Sequence, residues 1–152
     1  MPASDPAGRH QGRVAALQLL YQREVGGVEG SRFDRAVGFY WREHPAPDGP
    51  REFADRLLRG TLDALERIDP LIEAAADNWR LSRMAVIDRL VLRLAVYELL
   101  AAETPPAVVI DEAIELARTF SGEPSPRFVN GILDAVRHRL DEDREDPEPP
   151  SD

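Results

Sequence analysis

The sequence predicts an all-α protein of about seven helices packed as two small helical bundles. In most segments, apolar residues recur at the i, i+3, i+4 and i+7 spacing of a helix with one buried side. No segment shows the sustained alternation of apolar and polar residues that is typical of strands. Proline and glycine clusters divide the chain into segments of helical length. These observations favour helical bundles over a fold that contains a sheet.

Three helices are predicted in the first half of the chain. The first runs from about Arg9 to Glu24 and ends at a group of glycines. Ser31 is a suitable N-cap for the second helix. The apolar members of that helix are Phe33, Ala36, Val37, Phe39 and Tyr40. Three prolines make residues 44–50 a predicted loop. The third helix is expected at residues 51–68.

Four helices are predicted in the second half. Pro70 is expected to start a short fourth helix that reaches about Asn78. Ser82 is expected to cap a fifth helix that reaches about Ala102 and, as the most apolar segment, lies at the centre of the fold. Residues 108–140 read as two amphipathic helices around a turn marked by proline and glycine. Ser125 is the predicted cap of the last helix.

The predicted organisation is a single folded domain between two less ordered ends. Residues 1–8 read as a flexible leader and residues 9–140 as the domain, with halves at about 9–69 and 70–140. Residues 141–152 read as a disordered acidic tail, because they are rich in proline and charge and lack bulky apolar groups.

Composition narrows the class of protein. A chain of 152 residues with 43% apolar and 31% charged residues is ordinary for a soluble globular protein. No apolar run approaches the roughly 20 residues of a membrane helix. The N-terminal residues lack a signal-peptide pattern, so we expect a cytoplasmic protein without a membrane partner. The absence of cysteine excludes disulfides and thiolate zinc sites.

The net charge of −9 is unevenly distributed. The predicted tail, residues 141–152, holds seven acidic residues and one arginine, which leaves only −3 on the rest of the chain. All basic residues other than histidine are arginines, which form planar, bidentate contacts with phosphate. A nucleic-acid partner is therefore compatible with the charge of the folded part. Two roles are open for the tail itself: it increases solubility, or it competes with RNA for a basic surface of the protein.

Residue patterns that carry catalysis are missing. The three histidines, His10, His44 and His138, have no histidine partner at i+4 and no metal-ligand spacing. No glycine-rich phosphate loop follows a strand, and no serine has a histidine base nearby in sequence. We therefore predict a protein that is not an enzyme and has neither a cofactor nor a metal.

Two segments have the composition of a binding surface. Arg9, His10 and Arg13 open the first helix, and no acidic residue occurs between Arg9 and Arg23. The second segment is the turn that carries Phe120, Arg127 and Asn130. Arginines contact phosphates, and an exposed aromatic side chain can stack on an unpaired base. Gly131, in the last predicted helix, is expected to permit a close approach between helices.

Four segments together resemble the NusB family of bacterial transcription antitermination factors. They are RHQGRVAALQLLYQ, DRLVLRLAVYELL, VVIDEAIELARTF and RFVNGILDAV, and the likeness extends in order from about Arg9 to Leu140. The resemblance implies an all-helical fold of two small bundles. It also implies binding to the boxA element of ribosomal RNA leaders, a heterodimer with the ribosomal protein NusE, and membership of an RNA polymerase antitermination complex.

The resemblance also assigns residues one at a time. The arginine-rich N-terminal motif of the family falls on Arg9, His10 and Arg13, with fewer basic residues than is typical, which implies greater dependence on the partner. The other positions that the resemblance gives to RNA binding are Tyr21, Phe120, Arg127 and Asn130. Those that it gives to the partner surface are Ser82 and Asp88.

Three alternatives remain at this point. The fold also resembles the RNA-binding accessory domain of some ribosomal RNA cytosine methyltransferases. A pure interaction protein, such as a homodimer that hides its arginine surface, is the second alternative. A DNA-binding helix-turn-helix is the third, although no helix has the basic and amide residues of a recognition helix.

Overall fold

The computed structural model describes residues 5–77 and 79–145, and within these ranges it contains seven α-helices, a short 3-10 helix and no strand. The α-helices are α1 (Pro6–Val25), α2 (Gly30–Glu43), α3 (Asp48–Asp63), α4 (Leu65–Ala75), α5 (Val86–Ala101), α6 (Pro106–Phe120) and α7 (Ser125–Glu145). The predicted all-α class and the number of helices are confirmed.

The first helix begins earlier than predicted. Its N-cap is Asp5, whose side chain accepts a hydrogen bond of 3.1 Å from the backbone N–H of Gly8, and Pro6 occupies the first turn. Part of the predicted leader is therefore helical, because an aspartate cap and a following proline start a helix without apolar periodicity. The rest of the predicted leader, residues 1–4, lies outside the described residues.

The second helix differs from the prediction at its start and on one face. It begins at Gly30, where φ is 61°, and no side chain caps it, so Ser31 is not the cap. Phe33 and Tyr40 are buried, as expected for the apolar face. Phe39, which was predicted with them, is 57% exposed, because it lies about 100° around the helix from Tyr40.

The prolines lie inside helices more often than predicted. Helix α3 begins at Asp48 and includes Pro50 in its first turn. Backbone N–H groups of the first turn have no acceptor within the helix, so a proline there costs no hydrogen bond. The break between α3 and α4 falls at Ala64, not at Pro70, which lies within α4. Pro70 and Glu66 are both exposed, so water can solvate the Glu66 carbonyl that loses its donor.

The fifth helix is central, as predicted, but it starts later. Ser82 does not cap it, because Leu81–Arg83 form a 3-10 helix and α5 begins at Val86. Its buried apolar residues are Leu90, Val91, Leu92, Leu94, Ala95, Val96 and Leu99. The helix ends at Ala101 and is followed by Ala102, which has a left-handed φ of 57°.

The last helix is longer than predicted, and its first residue forms hydrogen bonds to α5 and to the C-cap of α6. Ser125 does not serve as a free cap, because its Oγ donates to Oδ2 of the buried Asp88 at 3.0 Å and also meets the Oγ of Ser121 at 2.8 Å. Helix α7 continues to Glu145, so residues 141–145 of the predicted disordered tail are helical. The remaining tail residues, 146–152, lie outside the described residues.

The helices share one continuous apolar core. Helix α1 packs against α2 and α3 on one side of the molecule, while α4, α6 and α7 surround α5 on the other. Because α5 also packs against α1 and α3, the two small bundles are joined along this central helix.

Candidate nucleic-acid interface

Arg9 lies at the edge of a shallow site beside the end of α5. Its Nη1 donates to Oγ1 of Thr104 at 3.2 Å, and its guanidinium lies 4.8 Å from the ring centroid of Phe53. The side chain is half-buried. A guanidinium that is held by one hydrogen bond and a stacked ring keeps further N–H groups for a phosphate.

Arg13 lies inside the fold rather than on its surface. The residue is only 3% exposed, and its Nε and Nη2 donate to the two carboxylate oxygens of Glu98 at 2.8 and 2.9 Å. This bidentate pair joins α1 to α5 and occupies the donors that a phosphate would need. The structure thus places Arg13 in a structural ion pair, away from the predicted contact with RNA.

His10 is exposed, and its neighbourhood is not strongly basic. Its Nδ1 lies 2.9 Å from Oε2 of Glu112 on α6. The same carboxylate lies 3.8 Å from Nη1 of Arg13. The positive charge of α1 is therefore partly neutralised by carboxylates of other helices. These carboxylates are far away in the sequence, so the sequence alone does not reveal the contacts.

Tyr21 and Phe120, which are 99 positions apart in the chain, line the same groove. The groove has a volume of about 510 Å³ and lies between α1, α2, the start of α5 and the end of α6. Its lining residues are Leu17, Gln18, Tyr21, Gln22, Tyr40, His44, Ile87 and Phe120. Tyr21 is 41% exposed, so its ring is available to a ligand. We call this the aromatic groove.

The α2 wall of the aromatic groove is held by two contacts that were not foreseen. The Tyr40 hydroxyl donates to Oε1 of Gln18 at 2.8 Å, and its ring stacks on His44 at 4.3 Å between centroids. Burial raises the pKa of the Tyr40 phenol, so the hydroxyl remains a donor. The only signal in the sequence was the i, i+4 spacing of Tyr40 and His44.

The Arg9 site and the aromatic groove lie along the same pair of helices. His10 of α1 meets Glu112 of α6, and farther along both helices Tyr21 and Phe120 share the groove. The two helices therefore run in the same direction. Twelve residues of helix separate Arg9 from Tyr21, a distance of about 18 Å along the axis. A strand of nucleic acid can span this distance.

Arg127 and Asn130 lie on a different part of the surface. Both are exposed on the first turns of α7, and neither lines the aromatic groove. Phe128, between them, packs against the core and makes an edge contact with Trp79 at 6.4 Å. Trp79 is 54% exposed and was not singled out from the sequence.

Ser82 and Asp88 do not form a common surface. Ser82 is exposed in a polar cleft of about 810 Å³, whose other lining residues are Glu24, Asp69, Glu73, Arg80, Leu81, Arg89 and Arg93. Asp88 is 7% exposed and bonded to Ser125. Its second oxygen, Oδ1, is buried without a hydrogen-bond partner among the described residues.

Gly131 does not mediate helix packing. It is exposed on α7, and a Cβ placed there would have no neighbour within 4 Å. Close approaches occur instead at Gly12 of α1, where a Cβ would lie 3.0 Å from the Pro50 carbonyl oxygen of α3, and at Gly60 of α3, where a Cβ would lie 2.3 Å from the Tyr97 ring of α5. Gly60 was not distinguished from other glycines by its sequence neighbours.

The described ranges contain neither a metal-binding cluster nor a membrane-spanning helix. No group of three or more His, Asp or Glu side chains in residues 5–77 and 79–145 could hold a metal ion. Within the same ranges, no helix is both long and apolar enough to cross a membrane.

Comparison with known proteins identifies the family. The NusB family model matches residues 10–138. The transcription antitermination protein NusB of Sorangium cellulosum is 45% identical over 140 residues, which cover 90% of this chain and 98% of the relative.

Solved structures agree with this match. T. maritima NusB superposes with a TM-score of 0.75 at 37% identity, over 86% of this chain and 90% of that one. A NusB chain solved with NusE and double-stranded RNA gives a TM-score of 0.76 at 26% identity, over 88% and 98% of the two chains. The family match, the identity and the shared helical fold lead to one conclusion: this chain belongs to the NusB family.

Proposed function

We propose that the protein is a transcription antitermination factor that binds the boxA element of ribosomal RNA leaders together with NusE, within an RNA polymerase complex. The observation that carries the proposal is the aromatic groove, in which Tyr21 and Phe120 come together beside the helix that begins with Arg9. The name of the Sorangium relative and the NusE and RNA content of one solved relative support it.

The groove suits unpaired bases. Aromatic rings stack on bases of any sequence, and the amide groups of Gln18 and Gln22 can pair with base edges. Arg9 lies about 18 Å away along α1 and contacts a phosphate of the same strand. We propose that Arg127 and Asn130 contact a part of the RNA outside the aromatic groove, and that His10 contacts RNA beside Arg9.

Arg13 has a different role in this proposal. Its pair with Glu98 holds α1 against α5, which positions both Arg9 and Tyr21. Reversing the charge of Arg13 would bury two carboxylates face to face and would strongly destabilise the fold. A test of phosphate contacts must therefore use Arg9 and Arg127 and leave Arg13 intact.

NusE is proposed to bind on the side that carries Ser82. The cleft there mixes arginines with carboxylates, an arrangement that suits a polar protein partner. Asp88 would act indirectly, by holding the start of α7 through Ser125. We also propose that the protein works in the cytoplasm, as a binding protein and not as an enzyme.

The test is a titration of the full chain with boxA RNA and with a scrambled RNA, with and without NusE. We expect preference for boxA and tighter binding when NusE is present. Tyr21→Ala should weaken boxA binding by about tenfold, in line with the loss of one stacked base. Val25→Ala, an exposed change on the same helix, is the matched control.

Charge reversal adds a second readout. Arg9→Glu with Arg127→Glu should weaken binding and flatten its dependence on salt. Equal affinity for boxA and scrambled RNA under all these conditions would refute the proposal. Light scattering with and without NusE distinguishes a heterodimer from a homodimer.

A further inference from the structure

The exposed side of α2 carries a row of arginines around one aromatic ring. Arg32, Arg35, Phe39 and Arg42 are all exposed, and at 100° per residue they fall within about a quarter of the helix circumference. They lie opposite Phe33 and Tyr40, which anchor α2 to the core. We call these four residues the α2 stripe.

The charges of the α2 stripe are not neutralised by neighbours. None of its three arginines forms an ion pair or a side-chain hydrogen bond with another residue of the described ranges. Of the two acidic residues of α2, Asp34 pairs with Arg59 of α3 at 3.0 Å, and Glu43 is exposed next to Arg42 without forming an ion pair with a residue of the described ranges. The Arg42 guanidinium lies 5.9 Å from the Phe39 ring centroid. The stripe therefore presents three guanidinium groups and one aromatic ring to the solvent on a single helix face.

The stripe and the aromatic groove lie on different faces of α2 and come together only at the end of the helix. Tyr40, on the last turn of α2, and His44, which caps it, form one wall of the groove, whereas Arg42 lies about 160° around the helix from Tyr40. A strand that leaves the groove past His44 must turn around this end of α2 to reach Arg42 and Phe39, and then Arg35 and Arg32. The stripe is about 15 Å long, since ten residues of helix separate its ends.

We propose that the α2 stripe binds the RNA strand that extends beyond the aromatic groove, with the three arginines on phosphates and Phe39 stacked on a base. This inference rests on the proposed function and lengthens its RNA footprint. Phosphate is favoured because free guanidinium groups pair with it in bidentate geometry, and an exposed phenylalanine stacks on bases without regard to sequence.

Two other occupants fit the stripe less well. A second copy of the chain, related by a two-fold axis, would place arginines opposite arginines. A membrane surface would need an exposed apolar face, but that face of α2 is buried against the core and leaves Phe39 alone.

The experiment compares two RNAs on the full chain with a fixed excess of NusE. One is boxA RNA alone, and the other is boxA RNA with eight added uridines, placed at either end in separate titrations. In the variant Arg32→Gln/Arg35→Gln/Arg42→Gln, binding of one extended RNA should weaken about tenfold, while boxA alone is bound as before. The slope of log affinity against log salt should fall by about 2, since each phosphate contact on a single strand contributes about 0.7.

A second triple variant provides the control. Arg67→Gln/Arg139→Gln/Arg144→Gln removes the same charge from exposed positions on other elements and should leave both affinities unchanged. In the unmodified protein, 4-thiouridine in the extension should crosslink to α2 peptides, a result that does not depend on the folding of any variant. Phe39→Leu should weaken binding of the extended RNA but leave the slope of log affinity against log salt unchanged.

The outcomes separate the two proposals. If boxA binds normally and the two triple variants bind the extended RNA equally, the inference fails and the proposed function survives. If the unmodified protein binds neither RNA, both fail. A membrane role is tested with vesicles of mixed phosphatidylserine and phosphatidylcholine. If the stripe variant loses binding to these vesicles and binds RNA unchanged, the stripe belongs to a membrane interface and the inference is overturned.

Discussion

At the residue scale, Arg13 shows how burial changes the role of a charged side chain. In the sequence it belongs to a basic helix start, but in the fold both of its forked donors meet Glu98. A buried pair of this kind is costly to break, because the remaining partner keeps an uncompensated charge away from water. Arg9, four residues earlier, remains at the surface.

We therefore expect Arg13→Ala to lower the free energy of unfolding by about 3–5 kcal/mol. Urea denaturation followed by circular dichroism measures this change. Arg9→Ala is the comparison, and it should lower the free energy of unfolding by less than about 1 kcal/mol, since Arg9 is half-exposed and keeps one hydrogen bond. Equal losses in the two variants would contradict the structural role of Arg13.

Ser125 gives a second prediction at this scale. Its hydroxyl is the hydrogen-bond donor to Asp88, whose other oxygen already lacks a partner among the described residues. Ser125→Ala should therefore lower the free energy of unfolding by about 1–3 kcal/mol, the penalty for leaving a buried acceptor unsatisfied. Thermal or urea unfolding measures it.

The matched control for Ser125→Ala is Ser82→Ala. Ser82 is exposed, so its loss should change the free energy of unfolding by less than about 0.5 kcal/mol. The addition of Asp88→Ala to Ser125→Ala should produce a non-additive loss, because the two side chains share one interaction.

At the element scale, the helices differ in how closely they approach one another. One close approach is between α3 and α5, where Gly60 lies under the Tyr97 ring. Glycine in α7 has no such neighbour, and Gly131 only weakens its own helix. The same residue type thus has opposite consequences on two elements.

Gly131→Ala should raise the free energy of unfolding by up to about 1 kcal/mol, because alanine favours the helix and meets no neighbour. Gly60→Ala should lower it by about 1–3 kcal/mol, because Tyr97 must move away. Chemical denaturation of the two variants in parallel measures both changes. Stabilisation by both substitutions would show that α3 and α5 can separate without penalty.

At the scale of the whole molecule, one central helix connects the two bundles. Helix α5 packs against five other α-helices, and the apolar core continues across both halves. Ion pairs between Arg89 and Glu24 at 2.6 Å, and between Arg93 and Asp69 at 2.9 Å, tie α5 to α1 and α4. The predicted halves therefore share their interior.

We expect the folded part to unfold as a single cooperative unit. Calorimetry should give equal calorimetric and van't Hoff enthalpies, and fluorescence of Trp41 and Trp79 should change at the same midpoint as the helical signal. Two separated transitions would instead indicate that residues 9–69 and 70–140 fold independently.

Helix positions could be predicted from local sequence, because a helix with one buried side repeats its apolar residues every 3.6 positions. That rule located all seven helices and the central place of α5. The predicted positions of the helix ends were less accurate. Pro50 and Pro70 were read as breaks but are accommodated in a first turn and on an exposed face. The motifs around FVNG were sufficient for the family, since they depend on residue order alone.

The ligand-facing surface depended on contacts between residues far apart in the chain. Periodicity could not show that Arg13 turns inward to Glu98, that Tyr21 and Phe120 share a groove, or that Phe39 lies among unpaired arginines. Local sequence specifies helices and their apolar faces through backbone geometry and short-range spacing. The exposure and pairing of a charge depend on which helices pack around it, and that packing is a property of the whole fold.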